Sequence, residues 1–317
     1  MASTGCAIPW AMNEGVYRVL RALGDGKRVP RAELTARSGE APSVVRELLE
    51  QRPSWFDVDA DGIRCTRDGL AALGMELHAR APARSLGEEG EALLESLRRE
   101  ARGRGRIRRD LDQVWATLPT VVARAQRLVA AGETQRGLAF LGDDDLTSLA
   151  LHLLGVERKI AVFDLDEELL AFLGAQAEKG GWEHEGLLHD LRKPVPAKHA
   201  GRYGCVFTDP PYAPEGFALF LTRAVELLKP DGRLYVCFGW SRRASERGLE
   251  KQRLLADAGF LVEEVVPDFN AYEGAESIGS HSALWIARVT PQTRPLVDDT
   301  GAPELYTRRR PRRKKRS

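Results

Sequence analysis

The stretch RGLAFLGDDDLTSLALHLLGVERKIAVFDLD, residues 136–166, decides how the second half of the chain folds. Its periodicity predicts an apolar strand over 136–142, a helix over 145–154 and a second strand over 159–166. A strand, a helix and a strand in this order form a unit whose two strands lie parallel in one sheet. Three consecutive aspartates stand at the first turn, where nucleotide-binding α/β proteins usually carry glycines. Because like charges repel each other, a ligand of opposite charge is expected there.

The alternation of strands and helices continues to residue 290. Further strands are predicted at 182–190, 203–211, 233–240, 260–269 and 282–290, and further helices at 167–180, 214–228 and 245–259. The last two strands are close enough in sequence to pair antiparallel. Seven strands in this order predict a doubly wound α/β sheet, in which ligands bind at the carboxyl ends of the strands. The order resembles the class I methyltransferase-like (Rossmann-like) fold, which ends in a reversed hairpin.

The first three strand ends carry the residues that we expect to bind the nucleoside of a donor. Gly142 permits close backbone approach at the first end, and Asp145 is a candidate cap for the helix that follows. Asp164 follows Gly142 by 22 residues (164 − 142), the spacing of an acid that binds ribose hydroxyls. Asp166 fits this role and a helix cap equally well, and Asp190 ends the third strand, where this fold often contacts adenine. The predicted nucleoside-binding residues are thus Gly142, Asp164, Asp166 and Asp190.

The fourth strand ends in Asp209-Pro210-Pro211-Tyr212, the most specific motif in the chain. In related folds, such a motif at this strand end holds an attacking amino group. The acid accepts a hydrogen bond from the amine and can take its proton, the prolines fix the backbone, and the ring packs against the substrate. We therefore predict that Asp209 and Tyr212 are catalytic and that Pro210 and Pro211 bind substrate.

Together, the two motifs predict that an amine attacks a carbon next to the sulfur of an adenosyl-sulfonium donor. A methyl donor would make this an amino-methyl transfer, and a decarboxylated donor would make it an aminopropyl transfer. The carboxylate of S-adenosylmethionine would be repelled by the three aspartates, whereas a decarboxylated donor or a polyamine would be attracted. Asp143, Asp144 and Asp145 are therefore predicted to bind substrate.

With these motifs the chain resembles the branched-chain polyamine synthases, or N(4)-bis(aminopropyl)spermidine synthases. That family carries a winged-helix-like N-terminal domain, a methyltransferase-like catalytic domain and GDDD and DPPY motifs, here at 142–145 and 209–212. Asp112-Gln113, ahead of Arg124, is similar to the family's segment leading into the catalytic domain. The resemblance implies aminopropyl transfer from decarboxylated S-adenosylmethionine to the central nitrogen of spermidine, with release of 5′-methylthioadenosine. It implies no metal and no prosthetic group.

Four regions can be separated along the chain. Residues 1–75 are predicted to form a winged-helix-like domain, because three helices precede a hairpin with an Asp-Gly turn. Its third helix carries as many acids as bases, which favours a docking or dimerisation role over DNA reading. Residues 76–135 are expected to be a helical connector with a solvated, arginine-rich loop over 97–110. Residues 136–292 form the predicted catalytic domain, and 293–317 a basic, disordered tail.

The charge distribution supports a cationic ligand. The formal net charge is +1, but the eight Arg and Lys residues between 308 and 316 leave −7 on the rest (1 − 8). Nucleic-acid contact is the second interpretation of this tail. No apolar run approaches the roughly 20 residues that cross a bilayer, and the start does not resemble a signal peptide, so a cytoplasmic protein without membrane contact is expected. The four scattered cysteines predict neither a zinc site nor a disulfide framework, and a homodimer is compatible with the sequence.

The runner-up function is an S-adenosylmethionine-dependent amino-methyltransferase acting on nucleic acid. The DPPY motif, the winged helix and the basic tracts favour it, but the missing glycine-rich loop and the surplus of acid, which repels phosphates, disfavour it. A DNA-binding regulator that keeps a degenerate catalytic fold is the third possibility. The retained DDD and DPPY motifs speak against that class.

Overall fold

The computed structural model describes residues 14–80, 86–108, 111, 113–239, 245–273 and 281–297. Asp112, the basic cluster from Arg308 and Cys6, one of the four cysteines, lie outside these residues. The described residues fall into two compact units, with the division between residues 80 and 86. Within the described ranges, no helix has both the length and the apolar character needed to cross a bilayer.

The first unit combines four helices with one hairpin. Its elements are α1 (Glu14–Ala22), α2 (Arg31–Ser38), α3 (Pro42–Gln51), β1 (Phe56–Asp59), β2 (Gly62–Cys65) and α4 (Arg67–Arg80). β1 and β2 pair antiparallel, and Val29 forms an additional bridge with Ile63. Three helices and a hairpin thus come in the predicted order. Assignment of this unit to the winged-helix class stays a prediction.

The second unit is built around a seven-stranded sheet. Its strands are β3 (Leu138–Leu141), β4 (Ile160–Asp164), β5 (His184–Leu188), β6 (Tyr203–Thr208), β7 (Leu228–Phe238), β8 (Leu261–Ala271) and β9 (His281–Arg288). They lie in the order β5-β4-β3-β6-β7-β9-β8. β3 to β7 are parallel, whereas β9 runs antiparallel to both β7 and β8. The predicted sheet and its reversed final hairpin are confirmed, and the strand order reverses between β3 and β6.

Helices cover both faces of this sheet. They are α5 (Gly87–Glu100), α6 (Leu118–Ala130), α7 (Thr147–Leu153), α8 (Glu167–Gly180), α9 (Pro214–Leu227) and α10 (Ser245–Asp257). Alternate strand residues face opposite ways, so that Phe140 packs with α5 to α8 and Leu141 packs in the core that contains α9. The sequence analysis set 76–135 apart as a connector, but α5 and α6 contribute Leu97, Val121 and other side chains to the core of the second unit. The limits of the predicted domains stay predictions.

Candidate active site

The GDDD motif forms the turn from β3 to α7 at the carboxyl edge of the sheet. Gly142 has a φ of 74° and donates its backbone N–H to the Phe163 carbonyl of the neighbouring strand, 2.9 Å away. Leu146, after the last aspartate, also lies in the left-handed region, with a φ of 68°. This conformation costs a non-glycine residue about 1–2 kcal/mol. The Leu146 side chain is fully buried in the core, and its burial offsets that cost.

Asp143 caps α7. Its Oδ1 accepts from the Thr147 backbone N–H at 2.8 Å, and its Oδ2 accepts from the Ser148 N–H at 3.0 Å and the Ser148 hydroxyl at 2.5 Å. The expectation that Asp145 caps this helix is therefore wrong. Burial raises the pKa of Asp143 to about 8, although the Ser148 and Thr147 donors act in the opposite direction. Both oxygens of Asp143 are thus engaged by its own helix, and a substrate-binding role for it stays a prediction.

Arg124, on α6, connects the GDDD and DPPY motifs. Only 1% of its surface is exposed. Its Nη1 lies 2.5 Å from Asp145 Oδ2, its Nη2 lies 2.6 Å from Asp209 Oδ2, and its Nε donates to Asn270 Oδ1 at 2.8 Å. Asp145 Oδ1 accepts in addition from the Ala116 backbone N–H at 2.5 Å. One buried guanidinium therefore compensates one carboxylate from each motif.

Asp209 keeps one carboxylate oxygen for a ligand. Its Oδ2 accepts from Arg124 and from the Tyr272 hydroxyl, 2.7 Å away, and that hydroxyl lies 2.8 Å from Ser282 Oγ. No hydrogen bond from a described residue occupies its Oδ1. Burial raises the pKa of Asp209 to about 6, against the lowering effect of Arg124. Arg124 and Tyr272 thus fix the carboxylate through one oxygen and leave the other without a hydrogen bond from the described residues.

Asp144 differs from both of its neighbours. Its Oδ2 is buried and has no hydrogen-bond partner among the described residues. Burial raises the pKa of Asp144 well above its usual value, and the nearby Asp145, Asp164 and Asp209 carboxylates raise it further. A bound cation would give Asp144 Oδ2 a partner and would offset the repulsion between the carboxylates. Of the three aspartates in the turn, Asp144 is the one with a buried carboxylate oxygen that no described residue pairs with, and its role in substrate binding stays a prediction.

The predicted nucleoside-binding residues follow three adjacent strands, β3, β4 and β5. Asp164 ends β4, and its Oδ2 lies 3.4 Å from the Asp143 backbone nitrogen. Asp166 caps α8 by accepting from Glu168 and Leu169 N–H groups, and its Oδ2 accepts from Gln113 Nε2 at 3.0 Å. Asp190 follows β5 and holds Arg192 through both carboxylate oxygens. The structure brings Gly142 and Asp164 together. Asp164 accepts from the backbone N–H groups of Asp143 and Asp166, whereas Asp166 and Asp190 also bind the side chains of Gln113 and Arg192.

The remaining residues of the DPPY motif form a wall beside Asp209. Pro210 and Pro211 are buried, and Tyr212 is partly buried. Lys251 of α10 is 2% exposed, and its Nζ lies 4.8 Å from the centre of the Tyr212 ring. Burial lowers the pKa of Lys251. The ring therefore already has a cation on one face, and its assignment as a catalytic residue stays a prediction.

Sequence reasoning gave no role to Arg124, Asn270 or Tyr272. A signal for Arg124 exists, because this arginine interrupts the apolar run LPTVVARAQRLVA, most of which is buried. Asn270 and Tyr272 belong to a polar stretch whose composition also fits a solvated loop, but Asn270 is fully buried near the end of β8. Within the described ranges, no group of three or more His, Cys, Asp or Glu side chains is arranged to hold a metal.

The strand order and the acidic strand ends define a methyltransferase-like α/β protein. Residues 92–299 match the family described as the branched-chain polyamine synthase A C-terminal domain. The match covers about two thirds of the 317 residues, and the chain belongs to this family.

Relatives of known name share part or most of the chain. An N(4)-bis(aminopropyl)spermidine synthase of Thermococcus kodakarensis is 37% identical over 185 residues, which are 57% of this chain and 52% of the relative. Its Thermus thermophilus counterpart is 28% identical over 291 residues, 86% of this chain and 79% of the relative. The chain thus spans about half the length of several curated relatives that it matches.

The fold recurs in a solved structure. The branched-chain polyamine synthase C9 mutein from Thermus thermophilus, in complex with N4-aminopropylspermidine and 5′-methylthioadenosine, superposes with a TM-score of 0.66. The sequence identity is 23%, and the match covers 92% of this chain and 90% of that one. At this level of identity, the likeness establishes the methyltransferase-like fold.

Proposed function

We propose that this chain is an aminopropyltransferase. It moves the aminopropyl group of decarboxylated S-adenosylmethionine to a polyamine amine, the central nitrogen of spermidine, and releases 5′-methylthioadenosine. The observation that carries the proposal is the pair of open carboxylate positions, Asp144 and Asp209 Oδ1, next to the nucleoside-binding strand ends. Membership of the polyamine synthase family and the names of the relatives support it.

In this reaction, the lone pair of a neutral amine attacks the aminopropyl carbon bonded to the sulfonium. A nitrogen–carbon bond forms, the carbon–sulfur bond breaks, and its electron pair goes to sulfur, which becomes the neutral thioether of methylthioadenosine. The positive charge passes to the nitrogen. When the acceptor is a secondary amine, the resulting ammonium gives its proton to the Asp209 carboxylate. Asp209 Oδ1 accepts the hydrogen bond of the amine and holds its lone pair toward the donor. Arg124 and Tyr272 keep that carboxylate in place through its other oxygen.

Asp144 makes the site selective for cationic substrates. Its unpartnered carboxylate attracts an ammonium group and repels the carboxylate of ordinary S-adenosylmethionine. Decarboxylated donor and polyamine both present ammonium groups without a carboxylate. The four neighbouring acids that raise the pKa of Asp144 add negative charge at the same place, and this charge also attracts the cation. The site therefore favours aminopropyl transfer over methyl transfer.

The purified chain can be tested with spermidine and either form of the donor, followed by mass spectrometry. We expect methylthioadenosine and a polyamine heavier by one or two aminopropyl groups with the decarboxylated donor alone. Ordinary S-adenosylmethionine should give neither product. Methylated nucleic acid with the ordinary donor, and no heavier polyamine with the decarboxylated one, would show that the amino-methyltransferase alternative is correct.

Replacing Asp209 by asparagine should lower turnover about 10²–10⁴-fold, because the amide cannot take a proton and orients the amine less strongly. The fold should persist, since asparagine keeps the shape of the side chain. Initial rates and circular dichroism measure the two effects. Asp231→Asn is the matched control, because Asp231 is exposed and adopts a φ of 58° that asparagine tolerates. Near-normal turnover of Asp209→Asn would remove Asp209 from the mechanism.

The stabilising effect of spermidine should grow with pH. Burial raises the pKa values of Asp164 and Asp209 to about 6 each. The folded chain therefore binds these protons more tightly than the unfolded chain. The resulting stabilisation of the free chain is present below the ordinary pKa of about 4 and is lost as the pH rises through 6. A bound cation pairs with the ionised forms and reverses this loss. Saturating spermidine should raise the melting temperature at least about twofold more near pH 8 than near pH 5, at constant ionic strength. Equal shifts at both pH values would contradict this linkage.

The proposed compartment is the cytoplasm. Cys65, Cys205 and Cys237 are buried free thiols, as is usual in a reducing environment. Burial raises the pKa of the Cys65 thiol to about 11, which keeps it protonated and unreactive at neutral pH.

A further inference from the structure

A cavity of about 350 Å³ lies beside the GDDD turn. Its lining residues are Arg98, Ala101, Arg102, Arg104, Trp115, Leu118 and Glu273. The guanidinium carbon of Arg104 lies 3.4 Å from the centre of the Trp115 ring. The carboxylates of Glu273, Asp145 and Asp144 are close enough to raise the pKa of Arg104, although burial lowers it overall. The cavity wall can therefore bind a cation, and the Arg104 guanidinium occupies that position.

Backbone hydrogen bonds connect the segment that carries Trp115 to the segment that carries Glu273. Glu273 donates its N–H to the Trp115 carbonyl at 2.8 Å, and Thr117 donates to the Ala271 carbonyl at 2.8 Å. Ala116, between them, donates to Asp145 Oδ1 at 2.5 Å. Trp115 and Glu273 thus lie on two paired segments that are tied to the GDDD turn. An aromatic face with carboxylates nearby is a recognition site for organic cations.

Arg104 is poorly compensated where it lies. Its Nη1 is buried and has no hydrogen-bond partner among the described residues. A buried donor without a partner carries a desolvation cost, which is removed when that donor reaches water. The glycines on both sides hold the backbone against α8, since a Cβ would lie 3.3 Å from the Phe172 ring at Gly103 and 3.2 Å from Glu168 Oε2 at Gly105.

We propose that Trp115 and Glu273 form a subsite for a terminal ammonium group of the acceptor polyamine, and that Arg104 occupies this subsite as an internal competitor. The inference rests on the proposed function and adds where the distal end of the acceptor binds. A primary ammonium on a flexible alkyl chain fits the same aromatic face as the guanidinium. The acceptor reaches from Asp209 past Asp144 to Trp115 and displaces Arg104. Arg104 thereby sets the acceptor affinity without touching the reacting atoms.

The test is isothermal titration calorimetry of spermidine into the full chain saturated with 5′-methylthioadenosine, so that no turnover occurs. Arg104→Ala should bind spermidine roughly three- to tenfold more tightly than the wild type, because the competitor is gone. Arg106→Ala is the matched control: Arg106 is exposed, is two residues away and does not line the cavity. Its affinity should stay within about twofold of the wild type, as expected for a screened surface charge. Trp115→Leu should weaken binding roughly tenfold, and Trp115→Phe should restore most of it.

Each outcome decides between the two proposals. Equal affinities of Arg104→Ala and Arg106→Ala, or weaker binding by Arg104→Ala, would overturn the competitor inference even if the wild type forms branched product. Unchanged binding by a folded Trp115→Leu variant would overturn the subsite. If the wild type binds spermidine with the expected variant order but makes no aminopropylated product, the subsite stands and the proposed reaction is wrong. Absence of spermidine binding by both the wild type and Arg104→Ala would overturn both.

Discussion

Replacement of Arg124 by methionine should abolish measurable turnover and lower the free energy of unfolding by about 3–5 kcal/mol. The guanidinium is buried and compensates Asp145 and Asp209 at the same time. Its loss would leave two carboxylates facing each other in a buried site, so one of them must take up a proton or the turn must move. Either change removes the oxygen that holds the attacking amine. Chemical denaturation and initial rates measure the two losses.

Arg127 provides a control on the same helix. It forms an ion pair with Glu264, but 37% of its side chain is exposed. Because exposed pairs contribute little, Arg127→Met should cost under about 1 kcal/mol and leave turnover close to normal. Arg124→Lys should be intermediate, since a single ammonium keeps the charge but cannot bind two carboxylates and Asn270 in the same geometry. Equal effects of the Arg124 and Arg127 substitutions would refute the bridging role of Arg124.

Asp144→Asn and Asp143→Asn should have opposite effects on stability, although the residues are neighbours and the substitution is the same. Asp144→Asn should lower turnover about 10²–10⁴-fold and raise the melting temperature, because it removes a ligand-binding charge that its neighbours repel. Asp143→Asn should cost about 1–3 kcal/mol of stability, because the new amide N–H₂ would face the donors of Thr147 and Ser148. Its effect on turnover should be the smaller of the two.

Melting curves and rates on both variants decide this assignment. A stabilised but inactive Asp144→Asn, beside a destabilised and partly active Asp143→Asn, is the expected pattern. The assignment is wrong if Asp144→Asn is destabilised and Asp143→Asn is the more inactive variant. Mass spectrometry of the products would also show whether Asp144→Asn accepts ordinary S-adenosylmethionine, because the repulsion of its carboxylate is reduced.

The fold was accessible from the sequence because each strand in the second unit is a short apolar run, bounded by a turn, and each intervening helix has an apolar face. The strand ends followed directly, since parallel strands place their carboxyl ends at one edge of the sheet. The sequence therefore predicts that Gly142, Asp144 and Asp209 lie in one site. The positions of Asp164 and Asp190 at their strand ends follow from the same rule.

The different contacts of the three aspartates in the GDDD motif could not be predicted from the sequence, because they involve residues that are far apart in sequence. Asp145 is occupied by Arg124, and Asp209 is held by Tyr272, 63 residues away. Periodicity places Arg124 on a helix, but only the tertiary packing of α6 shows that it faces the strand ends. The arginine-rich stretch was expected to be solvated, and Arg104 nevertheless stacks on Trp115, since a linear pattern cannot show which arginine meets an aromatic ring.

Leu146 has a consequence for how the chain reaches its folded state. Its left-handed backbone is unfavourable in isolation, and the compensation comes from the burial of its side chain among residues of α6, α7 and the sheet. The turn with the three aspartates is therefore not a local structure that a peptide of this sequence would adopt. It is favourable only in the presence of the hydrophobic layer beneath it, so that bringing the acidic groups together depends on the core. Formation of the charged site and completion of the core are in this way one cooperative event.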